Sequence, residues 1–205
     1  MSSPVKVAVI YYSSTGIIAE IARELAATSE KAGAEVRLRK ASELAPQMAI
    51  DSNPAWARNA AATADVPEAS PDDMEWADAV ILGSPTRFGN ISSQLKQYLD
   101  VLGGLWTQGK LADKVYSGFT SSATNHGGQE STLLALYNTV HHFGGIIVSP
   151  GYTDGAKFVD GTPYGTSHVD AQGTNPVNDQ TRTAARVQAE RVVRVTEALK
   201  NGYAA

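Results

Sequence analysis

Residues 5–18 read VKVAVIYYSSTGII, and this stretch decides the fold class. Apart from Lys6 and Ala8, its first eight residues are β-branched or aromatic, which is too apolar for a strand with one face in water. After a polar loop that ends at Gly16, apolar residues recur at helical spacing from Ile17 to Ala26. The stretch therefore predicts a buried parallel strand, a loop and an amphipathic helix, which is the first half of a βαβ unit.

The same strand, loop and helix pattern recurs along the chain. Further strands are predicted at 35–39, 79–84, 115–120 and 146–148, with helical periodicity at 91–102, 133–143 and 184–199. This alternation predicts an α/β fold with a doubly wound, five-stranded parallel sheet and helices on both of its faces. The stretches at about 41–71 and 149–179 break the pattern, and we interpret them as two insertions in a single domain that spans residues 1–205.

Composition excludes several functional classes. The net charge is −4, from 17 Lys and Arg against 21 Asp and Glu, which argues against a nucleic-acid partner. No apolar run approaches the roughly 18 residues of a membrane span, and the chain enters a strand without a signal segment, so we expect a cytoplasmic protein. The chain has no cysteine, so any redox function requires a bound organic cofactor.

The loops after the first, third and fourth strands are rich in Ser, Thr, Gly and Asn and fall where parallel sheets bind ligands. The first loop offers hydroxyl groups and the free N–H groups of a helix start, a composition typical of a phosphate site. The alternative is a plain helix N-cap. Neither G-x-G-x-x-G nor a Gly-Lys-Ser/Thr loop is present, which favours a mononucleotide phosphate such as that of FMN. The residues are Ser13, Ser14, Thr15, Gly16, Ile17 and Ile18.

The second loop comprises Pro85, Thr86, Arg87, Phe88, Gly89 and Asn90. Its backbone groups and the Thr86 hydroxyl are suited to bind the polar edge of a planar ring, and Phe88 is suited to cover one face. The alternative is a turn with an exposed arginine and a helix N-cap from Asn90.

The third loop has small side chains that allow the backbone to approach a flat ligand. It comprises Ser121, Ser122, Ala123, Thr124, Asn125, His126 and Gly127. Trp106 follows two glycines, and either stacks on a ligand or packs in the core. His126, His141 and His142 are either solvated or functional, and we expect no metal site because acidic ligands do not accompany them.

Five segments, taken together, resemble the WrbA family of FMN-dependent NAD(P)H:quinone oxidoreductases, which has the flavodoxin-like fold with strand order 2-1-3-4-5. They are Tyr11-Tyr12-Ser13, Gly83-Ser84-Pro85-Thr86-Arg87-Phe88-Gly89-Asn90, Gly103-Gly104-Leu105-Trp106, His126-Gly127-Gly128-Gln129-Glu130-Ser131-Thr132 and Gly161-Thr162-Pro163-Tyr164-Gly165. The segments are spread over nearly the whole chain, so the resemblance covers the fold and the loops together.

The resemblance implies that residues 13–18 hold the FMN phosphate and that Pro85, Thr86 and Arg87 contact the isoalloxazine edge, with Phe88 and Gly89 also among the cofactor-binding residues. Residues 121–127 would wrap the ring and the ribityl chain. Trp106 and Phe88 would line the face where nicotinamide and quinone dock in turn, and His142 would be catalytic, against the flavin. Hydride would pass from NADH or NADPH to flavin N5 and then to a quinone, which leaves as quinol, in a homotetramer.

Two residues depart from the family pattern. Thr15 stands where the family has an aromatic residue that contacts the nicotinamide cofactor, and Ile17 stands where a polar residue is usual. Two other functions remain open at this point. One is a one-electron carrier like flavodoxin, which would need a more acidic docking surface than a net charge of −4 provides. The other is a regulatory or scaffold protein without enzymatic activity.

Overall fold

The computed structural model describes residues 3–203, which fold around a parallel sheet with the order β2-β1-β3-β4-β5. The predicted class and strand order are therefore confirmed, with β2 at an edge of the sheet. The strands are β1 (Lys6–Tyr11), β2 (Glu35–Lys40), β3 (Ala79–Pro85), β4 (Val115–Ser122) and β5 (Ile146–Ile147).

Helices cover both faces of the sheet, because successive residues of the buried strands point to opposite sides. On β1, Val7 and Val9 pack with the residues of α1 and α9, whereas Ala8 and Ile10 pack with those of α5 and α7. None of the helices in residues 3–203 is both long enough and apolar enough to cross a bilayer. The helices are α1 (Ile17–Lys31), α2 (Gln47–Asp51), α3 (Pro54–Ala62), α4 (Pro71–Trp76), α5 (Ser93–Asp100), α6 (Gly103–Thr107), α7 (Gln129–Phe143), α8 (Gly155–Asp160) and α9 (Asp179–Tyr203).

A sixth strand, β6 (Thr166–Val169), lies within the second predicted insertion. It pairs with residues 119–122 of β4, while β5 pairs with residues 115 and 116 of the same strand. The fifth position of the sheet is therefore shared by two short strands. At the start of β6, a Cβ on Gly165 would lie 2.1 Å from the carbonyl oxygen of Gly118, so only glycine permits this approach. Sequence reasoning missed β6 because its four residues carry no clear apolar alternation.

Two details around the loops differ from expectation. Strand β4 continues to Ser122, so Ser121 and Ser122 end a strand instead of opening a loop. Helix α5 is capped by Ser92, whose side chain accepts the N–H of Leu95, and not by Asn90. The N-cap alternative for Asn90 is therefore wrong, because the helix begins two residues later than a cap at Asn90 would require.

The first predicted insertion contains α2 and α3. A cluster of hydrogen bonds to Glu43 attaches this insertion to the sheet. The Glu43 carboxylate accepts the hydroxyl of Tyr12 at 2.9 Å, the indole N–H of Trp56 at 3.1 Å and the side-chain amide of Gln94 at 2.8 Å. It also accepts two backbone N–H groups that follow it in the chain. This part of the insertion is thereby fixed to the carboxyl end of β1 and to α5.

Candidate functional site

A cavity of about 290 Å³ lies at the carboxyl ends of β1, β3 and β4. All three predicted loops border it, as expected for parallel strands whose ends meet at one edge of the sheet. The lining residues are Ser13, Ser14, Thr15, Ile17, Ile18, Pro85, Thr86, Arg87, Ser121, Ser122, Ala123, Thr124, Gly127 and Asp170. With the exception of Asp170, each of them is a residue that the sequence predicted for the cofactor.

The first loop is not a plain helix N-cap. The cap residue of α1 is Gly16, in the left-handed region with φ of 109°, and no side chain caps the helix. The Ser13 hydroxyl accepts the N–H of Gly16 at 3.2 Å. Within the described residues, the N–H groups of Ser14, Thr15 and Ile17 have no protein acceptor. Free donors and the positive end of the helix dipole together form a site suited to a phosphate.

Arg87 connects the first loop to the second. Its guanidinium donates to the Ser14 hydroxyl at 3.2 Å and to the Thr86 carbonyl at 3.0 Å. The sequence placed Arg87 at the edge of a planar ring, and the structure brings its charged end to the phosphate loop. A cation therefore stands beside the free N–H groups, where it adds to the attraction for an anion.

Hydrogen bonds hold the second and third loops in register. The N–H of Thr86 donates to the carbonyl of Ser121 at 2.8 Å, and the hydroxyl of Thr132 donates to that of Thr86 at 2.7 Å. In the third loop, the buried amide of Gln129 donates to the Thr124 carbonyl at 3.0 Å. These hydrogen bonds fix the backbone of both loops from the side away from the cavity. The polar backbone groups that face the cavity stay available to a ligand.

Several predicted residues do not border this cavity. Phe88 is fully exposed, and its backbone has a left-handed φ of 54°. His126 is also exposed. Their proposed contacts with a ligand stay predictions. The predicted cofactor residues that do not line the cavity are Gly16, Phe88, Gly89, Asn125, His126 and His142.

Trp106 and His142 form a separate corner of the molecule, made by the short helix α6 and the last turn of α7. The indole N–H of Trp106 donates to the His142 carbonyl at 2.8 Å, and 54% of Trp106 is exposed. The core-packing alternative for Trp106 is therefore wrong. The side chain of His142 is exposed as well, beside His141. Neither Trp106 nor His142 borders the cavity. Their predicted roles in substrate docking and catalysis therefore stay predictions.

Sequence reasoning missed two residues at the site. Asp170 follows β6, donates its N–H to the Ser122 carbonyl at 2.9 Å and lines the cavity. Asn59, on α3, donates its side-chain amide to the Ser13 carbonyl at 2.8 Å. Both lie in the predicted insertions, where no periodicity indicated which residues return to the sheet. Only the unusual length of those segments signalled a role.

The residues present fit FMN. Free N–H groups, hydroxyls and a guanidinium lie together at the first loop, as the phosphate requires. The second and third loops supply backbone groups and small side chains, as a flat ring requires.

Comparison with known proteins gives a consistent family. A family model described as NADPH-dependent FMN reductase matches residues 5–157. A protein of Deinococcus radiodurans named NAD(P)H dehydrogenase (quinone) is 48% identical, over 97% of this chain and 99% of the relative. A protein of Aromatoleum aromaticum with the same name is 39% identical, over 98% of this chain and 100% of the relative.

A solved structure shares the fold. The WrbA-like flavodoxin from Agrobacterium tumefaciens superposes with a TM-score of 0.67 at 24% identity, over 95% of this chain and 98% of that one. The matches therefore span nearly the whole of this chain and of each similar protein.

Proposed function

This chain belongs to the NADPH-dependent FMN reductase family, and within it to the WrbA-type quinone oxidoreductases, and we propose that it reduces quinones to quinols with NAD(P)H as donor. The observation that carries the proposal is the cavity in which a loop of free N–H groups meets the two other loops. Bound FMN supplies a ring that takes up two electrons from one substrate and passes them to another.

Each loop has its own task in holding the cofactor. Ser13, Ser14 and Thr15 would bind the phosphate through hydroxyl and N–H groups, and Arg87 would add its charge. The backbone at Thr86 would hold the polar edge of the ring. The third loop, from Ser121 to Gly127, would enclose the ring and the ribityl chain. Donors fixed near the ring stabilise the negative charge that it gains on reduction.

Quinone and NAD(P)H would dock in turn on the same open face of the site. Trp106 and Phe88 offer exposed aromatic surface for a flat substrate, and His142 would supply a hydrogen bond or a proton. Trp106 and Phe88 both face solvent within one chain. Their exposure supports the proposal that, in a homotetramer, a second chain covers the other side of the substrate. The donor is made by intracellular metabolism, which supports a location in the cytoplasm.

Anaerobic titration of the FMN-loaded protein tests the function. We expect one equivalent of NADH or NADPH to bleach the visible absorbance of the flavin, and one equivalent of benzoquinone to restore it. The ratio of the two bleaching rates gives the donor preference. A protein that fails to bind FMN, or whose flavin is reduced by neither donor, would contradict the proposal.

A further inference from the structure

The first loop, residues 13–18, is called the phosphate loop from here on. It has little packing on the side that faces the first insertion. A second cavity, of about 120 Å³, lies on the side of the loop that faces the first insertion, and its lining includes Tyr11, Ser13, Asn59 and Thr63. The Tyr11 hydroxyl is buried there without a hydrogen-bond partner in the described residues. Close-packed side chains, which normally fix a loop in place, are therefore missing behind Ser13.

The side chain of Asn59 reaches across this gap to the loop. Asn59 projects from α3 and donates its amide to the Ser13 carbonyl at 2.8 Å, across 46 residues of sequence. Asn59 is only 9% exposed, so this hydrogen bond is shielded from water. Its Oδ1 atom lies 3.6 Å from the position that a Cβ on Gly16 would occupy. Asn59 thus lies close to both ends of the loop that runs from Ser13 to Gly16.

The bond to Asn59 sets the direction of the next N–H group. In a trans peptide the carbonyl and the N–H point to opposite sides, and the described residues contain no cis peptide bond. Because the Ser13 carbonyl is held toward Asn59, the N–H of Ser14 points the other way, and Ser14 lines the cofactor cavity. That N–H has no protein acceptor in the described part of the chain. Asn59 therefore orients a donor that is free to bind a ligand.

We propose that Asn59 is a positioning residue for the phosphate loop, and that its bond to Ser13 makes the site select phosphorylated flavin over riboflavin. This inference rests on the proposed binding of FMN. It gives the first insertion a role in cofactor binding, in addition to any contact between subunits. Asn59 does not border the cofactor cavity itself, so it acts on a ligand only through Ser13, which lies at the phosphate end of the site.

The test compares FMN with riboflavin, which lacks the phosphate. The dissociation constants of both flavins are measured by quenching of flavin fluorescence, for wild type and Asn59→Ala. We expect the FMN affinity of the variant to fall about five- to tenfold, as for the loss of one hydrogen bond, and its riboflavin affinity to stay within about twofold. The ratio of the two affinities is the readout, and it does not depend on turnover.

Asn138→Ala is the matched control, because Asn138 is exposed on α7 and borders neither of the two cavities. We expect it to leave the ratio of FMN to riboflavin affinity unchanged. Asn59→Leu keeps the branching and approximate size of the side chain and removes the donor without adding a charge that would itself repel a phosphate, so it should lower the ratio even if Asn59→Ala folds poorly. Equal weakening of both flavins, an unchanged ratio in the folded Asn59 variants, or the same change in Asn138→Ala would overturn the inference. A wild-type protein that binds no FMN would instead contradict the proposed function.

Discussion

Two regions with predicted roles differ in how complete they are within one chain. The cofactor cavity is bordered by three loops whose backbones are tied to each other, as by the 2.8 Å bond from Thr86 to Ser121. In the corner of Trp106 and His142, Trp106 is 54% exposed, and its indole N–H donates a hydrogen bond to the His142 carbonyl. The difference teaches that one chain fixes the walls of the cavity on three sides, whereas the corner of Trp106 and His142 is open to solvent within one chain.

The largest expected effect is the loss of FMN affinity when hydroxyl groups are removed from the first loop. In Ser13→Ala/Thr15→Ala the phosphate loses two hydroxyl donors, and hydrogen bonds to a charged group contribute about 1.5–3 kcal/mol each. We expect FMN affinity to fall by at least about 100-fold, measured by fluorescence titration. Ser93→Ala, which removes an exposed hydroxyl on α5, serves as control. A double variant that is purified yellow and fully loaded would contradict the phosphate assignment.

The Trp106 corner should respond in the opposite way. Trp106→Ala removes aromatic surface on which a flat substrate would stack, so we expect the quinone KM to rise about tenfold. FMN affinity should stay within about twofold, because Trp106 does not border the cofactor cavity. Steady-state kinetics and FMN titration on the same preparation measure both quantities. Equal loss of quinone and FMN binding would mean that Trp106 has only a structural role.

The two neighbouring histidines offer a finer comparison within that corner. His142→Ala removes the residue expected to donate a hydrogen bond or proton, and we expect kcat/KM for quinone to fall about fivefold. His141→Ala is the matched control, because His141 lies next to it on α7 and is equally exposed. Steady-state kinetics with FMN-saturated protein should show this loss in the first variant alone. The assignment is reversed if His141→Ala has the larger effect.

Sequence reasoning found the cavity because its loops follow buried strands with strong apolar patterns. The run of β-branched and aromatic residues at 5–12 predicted this strand, and five of the six residues of β1 are buried in the structure, so the loop from Ser13 to Gly16 follows it as expected. Sequence alone did not find Asp170 or Asn59, since β6 and α3 lie in segments with no clear periodicity. What those segments contact depends on long-range packing, as in the bond from Asn59 to Ser13, which no local pattern encodes.

The smallest effect concerns the attachment of the first insertion next to the cofactor cavity. Burial alone would raise the pKa of Glu43, but hydrogen bonds from the Ala45 N–H, Gln94, Tyr12 and the Leu44 N–H outweigh it and hold the pKa below its ordinary value of 4.5. A carboxylate with a depressed pKa stabilises the folded state above its unfolded pKa, and that contribution is lost as the pH falls through its folded pKa.

We therefore expect the free energy of unfolding to decrease as the pH falls below about 4.5, with only a small share from Glu43 because solvent screens its partly exposed carboxylate. In Glu43→Gln this part of the pH dependence should disappear, because the side chain no longer titrates. Asp73, whose pKa is also lowered, still titrates in both proteins, so the difference between their denaturation curves isolates Glu43. If the two curves are parallel between pH 3 and pH 7, the hydrogen bonds to Glu43 do not stabilise its charge.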